Sequence, residues 1–155
     1  MEPFNSRLLA YEISPDADFV AHHAVEIVTL EKLLTESDFV SLHIPSNAQT
    51  KGMVDAAFLA AMKDGASLIN TSRGDLVDEG ALLEALTSGR LRGAALDAFS
   101  PEPPDAGNPL LALPNVIPTP HMGAHTDGAA DTMGRMALND CLAVLHGDPP
   151  SNRVI

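Results

Sequence analysis

Three residues of this 155-residue chain, Arg73, Glu102 and His121, each stand beyond a short apolar run and could do chemistry. Arg73 lies in Asn70-Thr71-Ser72-Arg73-Gly74-Asp75. A guanidinium presents a planar fork of donors that matches a carboxylate. Glu102 sits between Pro101 and Pro103, whose rings restrict the backbone and can hold a carboxylate in a fixed direction. His121 lies in Thr119-Pro120-His121-Met122-Gly123-Ala124. Imidazole is the side chain best matched to proton transfer near neutral pH, and a neighbouring carboxylate raises its pKa. Together these groups can bind an anionic substrate and move a proton at its hydroxyl.

Each has a plainer reading. Arg73 could pair with Asp75 or Asp78 at the surface, Glu102 could be an exposed loop residue, and His121 could be structural in a turn. Ser72 is not read as a nucleophile, because no Gly-x-Ser-x-Gly surrounds it. His121 and His125 have the spacing of two zinc ligands on a helix, but Pro120 and Gly123 place His121 in a loop. No Glu follows it as in His-Glu-x-x-His, and the single cysteine, Cys141, completes no ligand pair, so no metal is expected. Cys141 falls in an apolar helical pattern and reads as a core residue; His22-His23 reads as surface.

The elements that must position these residues alternate. Arg7 to Tyr11, Val25 to Val28, Phe39 to Leu42, Ala66 to Asn70, Gly93 to Asp97 and Asn115 to Ile117 read as strands, with Phe39 to Leu42 buried. Helices are expected from Asp16 to His23, after Thr29, after Asp55, after Asp78 as far as Gly89, and from Thr126 to His146, with Gly147 as the stop. Strand and helix in repeated alternation imply an α/β fold: a parallel sheet covered on both faces, with ligands beyond the carboxyl ends of its strands. Glu12, His43, Thr71 to Arg73, Asp97 and His121 all fall just after strands, hence on a shared edge.

A net charge of −12 with only 9 basic residues argues against nucleic acid and anionic membrane as partners. No apolar run approaches the ~20 residues that span a bilayer, and no signal peptide is visible. A reducing cytoplasm is the expectation. Glu12 follows a strand; in a dinucleotide fold such an acid accepts from the adenosine ribose hydroxyls and repels a 2′-phosphate, which favours NAD.

Four segments, in this order and spacing, resemble the cofactor domain of the D-isomer-specific 2-hydroxyacid dehydrogenases: Ser37 to Pro45, Asn70 to Gly74 with Val77-Asp78-Glu79, Ala94 to Phe99 with Glu102-Pro103, and Thr119 to Ala124. The likeness runs over nearly the whole chain. It implies hydride transfer between NAD(H) and a small D-2-hydroxy/2-keto acid. His121 would be the proton donor in reduction and the acceptor in oxidation, Glu102 would hydrogen-bond it, and Arg73 would bind the substrate carboxylate. Asp97 would contact the nicotinamide carboxamide. His43, Ile44, Pro45, Thr71 and Ser72 would line the cofactor, and Gly123 and Ala124 would approach it closely. A homodimer is usual in the family.

The sequence departs widely from that family's pattern in its glycine motif, first strand and substrate domain. No Gly-x-Gly-x-x-Gly precedes Glu12, and Met1 to Phe4 resembles the end of the helix that should follow such a turn. The expected fold is thus a Rossmann-type doubly wound parallel sheet lacking its first strand and glycine-rich loop. Residues 1–147 would be the C-terminal portion of the dinucleotide-binding domain, and 148–155 a tail returning toward an absent substrate domain. In the order 3-2-1-4-5-6 the first strand is central, so the strand ending at Tyr11 would lack a neighbour. The rival expectation is a catalytically inactive remnant that acts only as a binding or interaction module.

Overall fold

Polar caps start the helices of this chain, and short apolar strands run between them. The computed structural model describes residues 6–153. The helix end expected at Met1 to Phe4 and the last two residues of the expected tail lie outside them. The order is β1 (Leu8–Ala10), α1 (Ala17–His22), β2 (Val25–Ile27), α2 (Leu30–Glu36), β3 (Phe39–Leu42), α3 (Ala56–Ala61), β4 (Ser67–Asn70), α4 (Glu79–Thr87), β5 (Gly93–Leu96), β6 (Val116–Pro118) and α5 (Asp127–His146). Short 3₁₀ turns cover Gly74–Leu76 and Pro109–Ala112. The side chains of Asp16, Thr29, Asp55, Asp78 and Thr126 each accept a backbone N–H of the helix they precede, satisfying donors that the first turn leaves open. Gly147 ends α5 with φ +87°, a left-handed conformation that costs glycine nothing.

The chain divides into two compact units, one ending at Pro120 and one beginning at His121. The first holds two parallel sheets. β1 pairs with β2, and the other sheet has the order β3-β4-β5-β6. No ladder joins β1 to β3 among the described residues. The small sheet is braced at its surface by Arg7, which binds Glu26 at 2.6 Å and Glu36 at 2.6 Å, and by Lys32 on Glu26. Lys32, then Arg7, hold the Glu26 carboxyl below its ordinary range. Pairs this exposed contribute little to stability.

The core lies on one face of the larger sheet. Val40, Leu42, Leu68, Ala94, Leu96 and Val116 point into it and meet Phe58 and Leu59 of α3 and Leu82 and Leu86 of α4. Within the first unit the opposite face is more exposed. In register across the strands, Ser41, Ile69, Ala95 and Ile117 form a row on that face. Ile69 and Ala95 are half-buried, Ile117 is 67% exposed, and so is Phe39 at 59%. β3 is therefore not buried throughout but alternates, as a strand with one covered face does. β6 runs from Val116 to Pro118, one residue later than expected, and the Asn115 carbonyl just before it accepts the Ala94 N–H.

The second unit is α5 with its flanks. Ser151 and Asn152 donate their backbone N–H groups to the Asp140 carboxylate, which holds that group below its usual range. Cys141 is exposed rather than a core residue, since α5 has no buried residue among those described.

Candidate functional site

Residues at the carboxyl ends of β3 to β6 are braced to one another by side-chain hydrogen bonds. Asn70 ends β4 and is fully buried. Its amide donates to the Arg73 carbonyl at 2.9 Å and accepts the Ser72 N–H at 3.0 Å, closing the turn Asn70-Thr71-Ser72-Arg73 on itself. The Ser72 hydroxyl donates to the Leu42 carbonyl at the end of β3, at 2.8 Å. The Arg73 guanidinium donates to the Ser72 carbonyl at 2.8 Å and is exposed. It pairs with neither nearby acid: Asp75 accepts the Ser46 hydroxyl, and Asp78 caps α4. The rest of its donor fork is open to a ligand.

His43, Ile44 and Pro45 leave β3 on this same edge. The His43 ring meets the Ser41 hydroxyl at 2.9 Å, and the Thr50 hydroxyl donates to the Pro45 carbonyl at 2.7 Å. Ser46 on Asp75 then ties this loop to the arginine turn at 2.8 Å.

Asp97 follows β5 and is buried. The Thr119 hydroxyl, just past β6, donates to it at 2.5 Å, and the Thr119 N–H donates to the Leu96 carbonyl. A cavity of about 450 Å³ opens here, lined chiefly by Phe99, Leu111, Pro118 and Pro120, with Glu102 and Thr119 as its polar members. That is the size range of small-molecule sites, and a largely apolar wall with few polar groups is their usual chemistry. Glu102 and the Asp97–Thr119 pair are thus brought to one place. Arg73 is not in the cavity wall, but its turn abuts the same loop. A Cβ on Gly74 would stand 2.0 Å from the Phe99 carbonyl carbon. We expect Gly74→Ala to cost more than about 2 kcal/mol, since backbone rather than a pliant side chain would have to move. Urea unfolding of the 155-residue chain measures this, and an unchanged midpoint would show the approach to be looser.

Glu12 lies beyond β1, on the small sheet. Its Oε1 accepts the Ile13 and Ser14 N–H groups at 2.8 and 3.1 Å, which curls the side chain over its own turn. His121 opens the second unit, with φ +53°. A left-handed backbone is uncommon for a residue with a side chain, and such outliers concentrate at functional positions. Met122, Gly123 and Ala124 follow, the Met122 carbonyl accepts the His125 N–H, and α5 begins at Asp127. His121 and His125 belong to no metal cluster, and among the described residues no group of acids, histidines and cysteine is placed to hold an ion. No helix among those residues is long and apolar enough to cross a membrane.

Sequence reasoning assigned no role to Asn70, Thr119 or Glu79, which hold this edge together. Asn70 carried a readable signal: an Asn at a strand end, two and three residues before Ser72 and Arg73, is a side-chain turn former. Thr119 and Glu79 carried none, because their partners are distant in the chain.

Comparison with known proteins gives the family and the fold. The sequence model of the D-isomer specific 2-hydroxyacid dehydrogenase, NAD binding domain, matches residues 1–123. The glyoxylate reductase of Korarchaeum cryptofilum is 42% identical over 151 residues, 97% of this chain and 46% of the reductase. The D-3-phosphoglycerate dehydrogenase of Archaeoglobus fulgidus is 37% identical over 147 residues, 95% of this chain and 28% of that enzyme. The crystal structure of D-lactate dehydrogenase with NAD+ from Lactobacillus jensenii superposes with a TM-score of 0.90 at 31% identity, covering 99% of this chain and 50% of the other. The chain thus spans half or less of the length of these relatives. It has their Rossmann-like α/β fold, and it belongs to the D-isomer specific 2-hydroxyacid dehydrogenase family, whose NAD-binding domain it matches.

Proposed function

We propose that this chain supplies the NAD-binding half of a dehydrogenase that transfers hydride between NAD(H) and a small D-2-hydroxy or 2-keto acid. The observation that carries the reading is the braced carboxyl edge, where the arginine turn and the Glu102 loop abut through Gly74 and Phe99. NAD, when bound, supplies the hydride acceptor or donor. The buried Asp97 carboxylate fits an amide-recognising role toward the nicotinamide carboxamide, and Thr119 fixes its direction. Arg73 binds the substrate carboxylate through its open donors. His121 holds or releases the proton at the substrate oxygen, and Glu102 stabilises its charged form. Thr71, Ser72, His43, Ile44, Pro45, Gly123 and Ala124 line the cofactor. The domain is residues 1–147, with 148–155 as its tail.

The test exchanges the matching segment of the Korarchaeum glyoxylate reductase for this chain, keeping the reductase's remaining residues. The chimera is expected to oxidise NADH with glyoxylate as acceptor. A folded chimera that binds no NADH would sink the proposal. The 155-residue chain by itself is expected to bind NADH weakly, because its sequence contains no glycine-rich turn to offer backbone donors to the pyrophosphate. Tight stoichiometric binding, followed by NADH fluorescence, would require a different phosphate site.

Cofactor choice is assigned to Glu12. The chimera is expected to prefer NADH to NADPH by at least tenfold in kcat/KM, since a carboxylate repels the 2′-phosphate. A preference for NADPH would remove Glu12 from the ribose site.

A further inference from the structure

The loop that carries Glu102 runs from Ser100 to Asn108, between two anchors in the core, Phe99 and Leu110. Glu102 itself is exposed, so core packing does not by itself fix where its carboxylate stands. One side chain reaches both ends of the loop. Glu79, the first residue of α4, accepts the Ser100 N–H on Oε1 at 3.0 Å and the Asn108 side-chain amide on Oε2 at 2.6 Å. The other atom of that amide, Oδ1, accepts the Leu110 N–H at 3.0 Å and starts the 3₁₀ turn at Pro109. A single carboxylate therefore clamps start and end of the loop, with each oxygen on a different donor. α4 follows the arginine turn directly through the Gly74–Leu76 turn. The residue that clamps the Glu102 loop is thus five positions beyond Gly74, whose own backbone is pressed on Phe99.

We propose that Glu79 is a positioning residue for Glu102, and that through it the arginine turn and the Glu102 loop are set as one rigid assembly. This rests on the reading of Glu102 as the partner of the catalytic imidazole. Hydrogen bonds to a charged acceptor contribute more than neutral ones, and a clamp at two points removes more loop freedom than one at a single point.

The chemistry predicts which replacements fail and which one restores the clamp. Glu79→Ala removes both acceptors. Glu79→Gln keeps the Ser100 acceptor but turns an NH₂ toward the Asn108 NH₂, two donors face to face. Turning the Asn108 amide over would relieve that but forfeit the Leu110 N–H. The double variant Glu79→Gln with Asn108→Asp exchanges the two groups. The introduced glutamine would then accept the Ser100 N–H and donate to the introduced carboxylate, whose other oxygen keeps the Leu110 N–H. Net charge is unchanged, and every hydrogen bond is restored, with donor and acceptor reversed between the two side chains.

The test uses ¹⁵N relaxation on the full 155-residue chain, reading the Glu102 amide. In the parent protein its order parameter is expected in the rigid range, about 0.85, and in Glu79→Ala and Glu79→Gln below about 0.6. The amides of Leu68 and Ala95 in the sheet should keep their values, and the exchanged pair should return Glu102 to the rigid range. Should Glu79→Ala not fold, the Gln variant and the exchanged pair decide the question between them. A Glu102 amide that stays rigid in both single variants overturns the proposal, as does an exchanged pair that leaves it loose or the chain unfolded. In the chimeric reductase, Glu102→Gln and Glu79→Ala are each expected to lower kcat with little change in KM for glyoxylate, and the exchanged pair to restore it. Full kcat in Glu102→Gln defeats the catalytic reading alone, and the order parameters still decide the clamp.

Discussion

Replacing His121 by alanine in the chimeric reductase should lower kcat by about 10²–10⁴-fold, the range that a positioned general acid or base contributes. KM for glyoxylate should change far less, because Arg73, not His121, is assigned to hold the carboxylate. Glu102→Gln should likewise lower kcat with little change in KM, since a neutral amide replaces the carboxylate assigned to the reaction. Stopped-flow rates with glyoxylate check this, and a Gln variant with full kcat would remove Glu102 from the reaction.

Arg73→Ala should reduce kcat/KM by about 10–100-fold, corresponding to the loss of hydrogen bonds to a charged group at ~1.5–3 kcal/mol. Arg73→Lys should recover only part of it, since an ammonium is a point charge and cannot present two parallel donors to one carboxylate. The structure sharpens this expectation. The Arg73 backbone is held by Asn70 and its guanidinium touches only the Ser72 carbonyl among the described residues, so the substitution disturbs no ion pair of the fold. The stability of the chain should therefore stay within about 0.5 kcal/mol of the parent. A variant with full activity would assign the carboxylate to another cation.

The caps were legible because capping is local chemistry. Asp55, Asp78 and Thr126 each accept an N–H three residues ahead, a distance fixed by the helix itself. The same holds for Gly147 at the end of α5 and for the strands that lead to Asn70 and Asp97. The segments around Arg73, Glu102 and His121 were legible as well, since residue type and spacing define them. Cys141 misled for the opposite reason. Its neighbours carry a helical apolar pattern, but a pattern only says which residues could share a face; burial needs something to pack against, and α5 buries none of its described residues. Phe39, read as part of a buried strand, is likewise 59% exposed.

The sequence by itself determined the alternation of strand and helix and the helix starts, which depend on residues within a few positions of each other, and the family, which the order and spacing of four short segments carry. Tertiary structure alone decided which face of the larger sheet carries the core and that Glu79 clamps the loop of Glu102. Its two hydrogen bonds join residues 21 and 29 positions apart, and nothing in a carboxylate's own neighbourhood says which distant donors the folded chain will bring to it.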